Sequence, residues 1–186
     1  MQSKRINLKS YDNPFQKGSP RSYGFNYSSE GYYFITICTK NRHHYFGEIK
    51  GVTLIPSETG KVIETEWYKT GNIRKTIPVC LDEFCLMPNH IHGIIIIGKP
   101  ILPTRDKRIP TSEFKQNKFG PQSNSISSII RGFKGACTKQ IREKIDPSFQ
   151  WQRRFYDHII RDLESLENIR SYIRNNPDNW KEDELR

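Results

Sequence analysis

Two apolar, β-branched runs, Ile77 to Leu86 and His90 to Ile97, flank the breaker cluster Met87-Pro88-Asn89. Runs of this composition pack as buried strands, and the cluster between them forces a tight reversal, so a hairpin is expected here. The earlier run Tyr32-Tyr33-Phe34-Ile35-Thr36-Ile37-Cys38 is aromatic and β-branched and reads as a first strand. Short strands are expected within His43 to Ile49 and Val52 to Ile55, around a Lys50-Gly51 turn. Ser57 is a suitable N-cap for a helix running to about Lys69, with Val62, Ile63, Trp67 and Tyr68 at helical spacing. Ile126, Ile129, Ile130, Phe133, Cys137, Ile141 and Ile145 recur in steps of three or four and predict one stripe of a second helix. A strand follows over Phe155 to Ile160. Asp162 then caps a last helix with Leu163, Leu166, Ile169 and Ile173 inward, and Pro177 ends it. This order predicts an α+β fold, a ferredoxin-like antiparallel sheet with helices mainly on one face.

The chain has 186 residues, the size of one domain, and Lys+Arg 30 against Asp+Glu 20 gives a net charge of +10. Such a field attracts polyanions, which makes nucleic acid the leading partner class. The run Ile94 to Ile97 is far short of the roughly 20 apolar residues of a membrane span, so a cytoplasmic protein that crosses no membrane is expected. Cys38, Cys80, Cys85 and Cys137 form no C-x-x-C pair and lie in apolar segments, as buried reduced thiols do. Residues 1–30, rich in Lys, Arg, Ser and turn formers, read as a basic arm. Residues 31–177 read as the domain, 98–124 as a basic connector with Pro and Gly, and 178–186 as a polar tail. The tail carries Asp178, Glu182, Asp183 and Glu184; a free end is the default, with folding back over a basic groove as the alternative.

His90-Ile91-His92 opens an apolar strand, where residues i and i+2 share a face, so both imidazoles project together while Ile91 turns away. They are either a pair of metal ligands awaiting a third or two satisfied strand-end histidines. Tyr172 and Asn176 stand four residues apart near the end of the last helix and share a face beside the apolar stripe. A phenol there can approach the histidines; the plainer reading is a tyrosine at the core margin and an Asn before a helix-ending Pro.

Together these residues resemble the single-tyrosine HUH transposases, most closely the REP-associated tyrosine transposases. The motifs are Tyr33-Phe34-Ile35-Thr36-Ile37-Cys38-Thr39, Met87-Pro88-Asn89-His90-Ile91-His92-Gly93, Trp151-Gln152-Arg153-Arg154-Phe155-Tyr156-Asp157-His158 and Tyr172-Ile173-Arg174-Asn175-Asn176-Pro177. The resemblance covers roughly residues 30–180 and implies the HUH nuclease fold. It further implies cleavage and rejoining of hairpin-associated, REP-like single-stranded DNA. Tyr172 would be the nucleophile of a covalent 5′-phosphotyrosine intermediate, and His90, His92 and Asn176 the ligands of Mg²⁺ or Mn²⁺. Related insertion-sequence enzymes carry Gln where this chain has Asn176, which offers the same amide oxygen on a stem shorter by one methylene. A monomer is expected, with a dimer as the alternative. Arg131, Lys134, Lys139 and Arg142 on the second helix, with Arg153, Arg154 and Arg161, are candidate phosphate contacts. Trp151, Tyr23, Phe25 and Tyr27 are candidate stacking faces. The competing expectations are a non-catalytic binder of structured single-stranded DNA or RNA, and a structural zinc protein.

Overall fold

The computed structural model of the chain describes residues 29–73, 77–99, 125–183 and 185–186. Tyr23, Phe25 and Tyr27, most of the basic arm and nearly all of the 98–124 connector lie outside the described residues. Strands β1 (Gly31–Cys38), β4 (Val79–Leu86), β5 (His90–Ile97) and β6 (Tyr156–Ile160) form one sheet in the order β4-β5-β1-β6. Every pairing in it is antiparallel. Strands β2 (Gly47–Lys50) and β3 (Thr53–Pro56) make a separate hairpin. Helix α1 (Glu58–Thr70) lies between β3 and β4, α2 (Ile126–Lys144) between β5 and β6, and α3 (Leu163–Asn175) follows β6. Before β2, residues 40–42 form a short 3-10 turn with Asn41 and Arg42 at φ 53° and 58°. His43 to Phe46 therefore stay outside the strand expected there.

Alternation along the central strands sorts the core into two layers. On one face Tyr33, Ile35 and Ile37 of β1 join Ile91, Ile95 and Ile97 of β5 beneath α1 and α2, which contribute Ile63, Trp67, Ile129, Ile130, Phe133, Cys137 and Ile141. On the other, Tyr32, Phe34, Ile94 and Ile96 pack under Leu166, Ile169 and Ile173 of α3. Two of the three helices thus share a face, as expected, and α3 covers the opposite one. All eight residues of β5 are buried, which requires cover on both sides. Ile145 leaves the stripe: it caps α2 at φ −128° and is 42% exposed. The expected N-caps form, with Ser57 Oγ accepting from Gly60 N at 3.0 Å and Asp162 Oδ1 from Ser165 N at 2.7 Å.

Among the described residues no helix is long and apolar enough to cross a membrane. All four cysteines are free, and burial pushes the Cys38 and Cys85 thiols up to about 11 and about 12, the values of inert structural thiols.

Candidate active site

The histidine pair sits at the first and third positions of β5, on the face covered by α3. His90 and His92 are 0% and 1% exposed. Asn89 fixes the first ring. Its Nδ2 donates to the backbone oxygens of Arg42 (3.3 Å) and Leu185 (2.8 Å), so its Oδ1, 2.7 Å from His90 Nδ1, must accept that ring's proton. His90 Nε2 is then a bare lone pair. His92 faces Thr36 across the β1–β5 ladder, with Nδ1 2.8 Å from Thr36 Oγ1. Its Nε2 lies 3.3 Å from the hydroxyl of Tyr172. The two Nε2 atoms lie 3.1 Å apart. His90 Nε2 is thus an acceptor that either a proton on His92 Nε2 or a cation shared by the two nitrogens satisfies, and ordinary metal–imidazole bonds of about 2.1 Å reach from both.

Burial pushes His92 down to about 3, and burial together with the charges of His92, Arg42 and His44 holds His90 well below the usual histidine range. Both rings are neutral at pH 7, the form that binds metal. The same shifts set a pH dependence for the metal-free protein. Below about pH 6.5 the unfolded chain takes up protons that the folded protein refuses until about pH 3 at His92, so stability is full above pH 6.5 and drains away as pH falls. His92 alone is expected to cost about 2 kcal/mol at pH 5, at about 1.4 kcal/mol per pH unit. Thermal melts between pH 7.5 and 5 check this: the His92→Gln protein should lose distinctly less stability over that interval.

Tyr172 projects from α3 over the sheet, its ring 5.2 Å from that of His92 and 6.1 Å, edge-on, from Phe34. Tyrosine and histidines therefore meet. Asn176, one turn further along, is 4% exposed, and its Oδ1 is buried with no hydrogen-bond partner among the described residues. A buried acceptor left unsatisfied costs about 1–3 kcal/mol, a penalty that a bound cation removes.

The tail after Pro177 is not a free end. Residues Pro177–Glu182 form a 3-10 turn that buries Trp180 against His44 (ring centroids 5.5 Å) and His90 (6.2 Å). Asp183 follows, with Oδ2 3.6 Å from His90 Nε2. One ligand atom each from His90, His92 and Asp183 lies within 4.8 Å of the others. The acidic tail has folded back onto the histidine pair. Asp183 is the site residue that no local pattern ties to the histidines; its sequence signal is an acidic cluster, a feature usually left in solvent.

The candidate DNA contacts divide. Lys134, Lys139, Arg142, Trp151 and Arg153 line one groove of about 600 Å³ on the α2 side. Gln150 to Arg153 also line an adjoining groove with Thr39, Lys40, Asn41 and Arg42. The latter segment leads to the site, since the Arg42 carbonyl accepts from Asn89. Lys40 and Arg42 thus join the basic residues named from sequence. Arg131, Arg154 and Arg161 are exposed and line neither groove. Trp151 is half-buried in an aromatic cluster with Phe46, Phe149 and Phe133, and the Lys134 ammonium lies 5.8 Å from its ring centroid. Lys134 also donates to the Gln152 carbonyl at 2.6 Å, and burial pushes it down to about 8.

The four-stranded antiparallel sheet with its helices is similar to the fold of a REP-associated tyrosine transposase. The solved structure of one such protein, bound to a REP hairpin, superposes with a TM-score of 0.56 and 19% identity, covering 87% of this chain and 73% of that one. In sequence, the chain is 40% identical over 167 residues to an uncharacterized protein of Haemophilus influenzae, covering 87% of this chain and 88% of that protein. It belongs to the same family as that protein. No protein-family model matches the chain.

Proposed function

We propose that this protein is a metal-dependent transposase/endonuclease that cleaves and rejoins hairpin-associated single-stranded DNA through a 5′-phosphotyrosine at Tyr172. The observation that carries the reading is the Tyr172 hydroxyl 3.3 Å from His92 Nε2, itself 3.1 Å from His90 Nε2. Support for the substrate comes from the net charge of +10, the basic grooves, and a fold shared with a protein seen bound to a REP hairpin. Tyr172, His90, His92 and Asn176 come from one chain with α3 packed on its own sheet, which supports action as a monomer.

His90 and His92 would hold a divalent cation, with the orphaned Asn176 oxygen and the Asp183 carboxylate as further donors. Two imidazoles with oxygen donors suit Mn²⁺ better than Mg²⁺, which prefers oxygen alone. Held there, the ion would supply Lewis-acid polarisation of a non-bridging phosphate oxygen. Phe34 buttresses the Tyr172 ring. The Tyr172 oxygen forms a bond to phosphorus as the bond to the 3′-oxygen breaks. The phenol gives up one proton and the departing 3′-hydroxyl takes one, so the balance closes. Because the phosphotyrosine keeps the energy of the broken linkage, rejoining is the same step in reverse.

Incubating the protein with an end-labelled hairpin oligonucleotide and Mn²⁺ tests this. A protein–DNA adduct that survives denaturation is expected; tight hairpin binding without any adduct would make the protein a non-catalytic binder. Metal removal makes a separate prediction. The core has two apolar layers independent of any ion, so chelator should leave the protein folded, whereas a structural zinc protein would unfold. Excess Mn²⁺ should stabilise the folded protein by RT ln(1 + [Mn²⁺]/Kd), about 2.7 kcal/mol at 100 times Kd, and so raise its Tm. Scanning calorimetry of the His92→Ala protein should show no such rise.

A further inference from the structure

The sheet edge beside α3 holds two acids that the mechanism above leaves unused. In a regular strand Asp82 and Glu83 would point to opposite faces. Here the register of β4 slips: Leu81 pairs with Ile95 but Phe84 with Gly93, so a β-bulge at Asp82-Glu83 inserts one extra residue. Cys80 and Cys85 pack on the α3 side, and Leu81 and Phe84 on the α1 side. Both acids between them reach α3. Asp82 takes the Arg170 guanidinium in a fork, Nε to Oδ1 at 3.0 Å and Nη2 to Oδ2 at 2.5 Å, with both side chains about four-fifths buried or more. Glu83 takes Arg174 Nη1 at 2.7 Å. Asp82 Oδ1 also accepts the Glu83 N–H at 2.7 Å, satisfying a donor that the bulge takes out of the regular ladder.

Arg170 and Arg174 each stand two residues from Tyr172, about 200° around the helix, so they flank the apolar stripe on the side away from the tyrosine. The helix is latched along one flank and presents the reactive hydroxyl from the other. A side chain about 6 Å from a helix axis moves about 1 Å when the helix rolls by about 10°. Misplacement by that amount can slow a reaction about 100-fold. The geometry points to Asp82 and Glu83 as positioning residues: the acid pair delivered by the β4 bulge fixes the roll of α3, through Arg170 and Arg174, and so the approach of the Tyr172 hydroxyl to the histidine pair. This rests on the reading of Tyr172 as nucleophile given above. The exposed Glu83–Arg174 pair is the weaker arm, since solvent screens it; the forked, more buried Asp82–Arg170 pair dominates.

Asp82→Asn keeps an oxygen for the Glu83 N–H, and Arg170→Met keeps the aliphatic bulk, so both proteins should fold. Two measurements are made on each. The single-turnover rate of adduct formation with the labelled hairpin and Mn²⁺ should fall at least tenfold while the hairpin Kd stays within twofold, a split that general loosening of the fold would not produce. In metal-free, DNA-free protein carrying 3-fluorotyrosine at position 172, the ¹⁹F line should move from its wild-type position towards that of exposed fluorotyrosine as the ring leaves Phe34 and His92. An unmoved ¹⁹F line in both variants overturns the latch, as does an adduct rate within twofold of wild type. Absence of any adduct in the wild-type protein would overturn the nucleophile reading instead, and the ¹⁹F comparison, needing neither metal nor DNA, would still decide the latch.

Discussion

Tyr172→Phe protein is expected to form no detectable covalent adduct with a hairpin oligonucleotide, a loss of at least about 1,000-fold, while binding that oligonucleotide within about twofold of wild type. The substitution removes one oxygen and little else. The ring keeps its edge-on contact with Phe34 at 6.1 Å and its place beside His92 at 5.2 Å, and Ile173 and Ile169 still anchor α3 to the sheet. No phenyl carbon can attack phosphorus, so the chemistry is lost outright. A denaturing gel of the labelled reaction reads the adduct, and a native gel reads the affinity. Adduct formation by the Phe variant at the wild-type rate would move the nucleophile elsewhere.

Gly93→Ala is expected to destabilise the protein by about 3 kcal/mol, the upper end of ordinary overpacking. Gly93 follows the second histidine on β5 and faces α1. A Cβ there would lie 2.6 Å from Trp67 Cη2 and closer still to Cζ2. The indole cannot retreat, because it is 0% exposed, stacked on Phe84 at 4.9 Å and set edge-on to Phe133 at 5.6 Å. Either β5 shifts, carrying His92 with it, or α1 lifts off the sheet. For a domain of this size the cost corresponds to a Tm lower by about 6–12 °C. Gly132→Ala is the control. It lies inside α2 with nothing within 4 Å of the added carbon, and should instead stabilise by up to about 1 kcal/mol. Equal effects at the two positions in calorimetry would remove the close Trp67–β5 packing from the account.

Much of this architecture could be read from local pattern, because local physics sets it. Ser57 and Asp162 are caps whose hydroxyl and carboxylate satisfy helix N–H groups within three residues. The His90-Ile91-His92 alternation needs only a strand, and Tyr172 with Asn176 only a helical turn. What stayed hidden depends on contacts between distant segments. The stripe of Leu166, Ile169 and Ile173 shows that α3 has an inner face without saying which side of the sheet it covers. Asp183 reaches His90 only because Trp180 finds a hydrophobic seat beside His44. The bulge at Asp82-Glu83 breaks a run that otherwise reads as one uniform strand; two adjacent acids among apolar residues were its trace. Trp151, a stacking candidate by type, is drawn into the aromatic cluster by the bridge that pairs it with Thr39. Composition cannot separate a tryptophan that awaits a base from one that fills a corner.

The central claim is that the phenol of Tyr172 becomes the covalent anchor of the DNA. Digesting the denatured adduct with nuclease and protease and sequencing the modified peptide by mass spectrometry tests it most directly. A nucleotide phosphate carried on Tyr172, in the peptide containing Ser171-Tyr172-Ile173-Arg174, is the predicted result. A phosphate on any other side chain, with Tyr172 recovered unmodified, would contradict it.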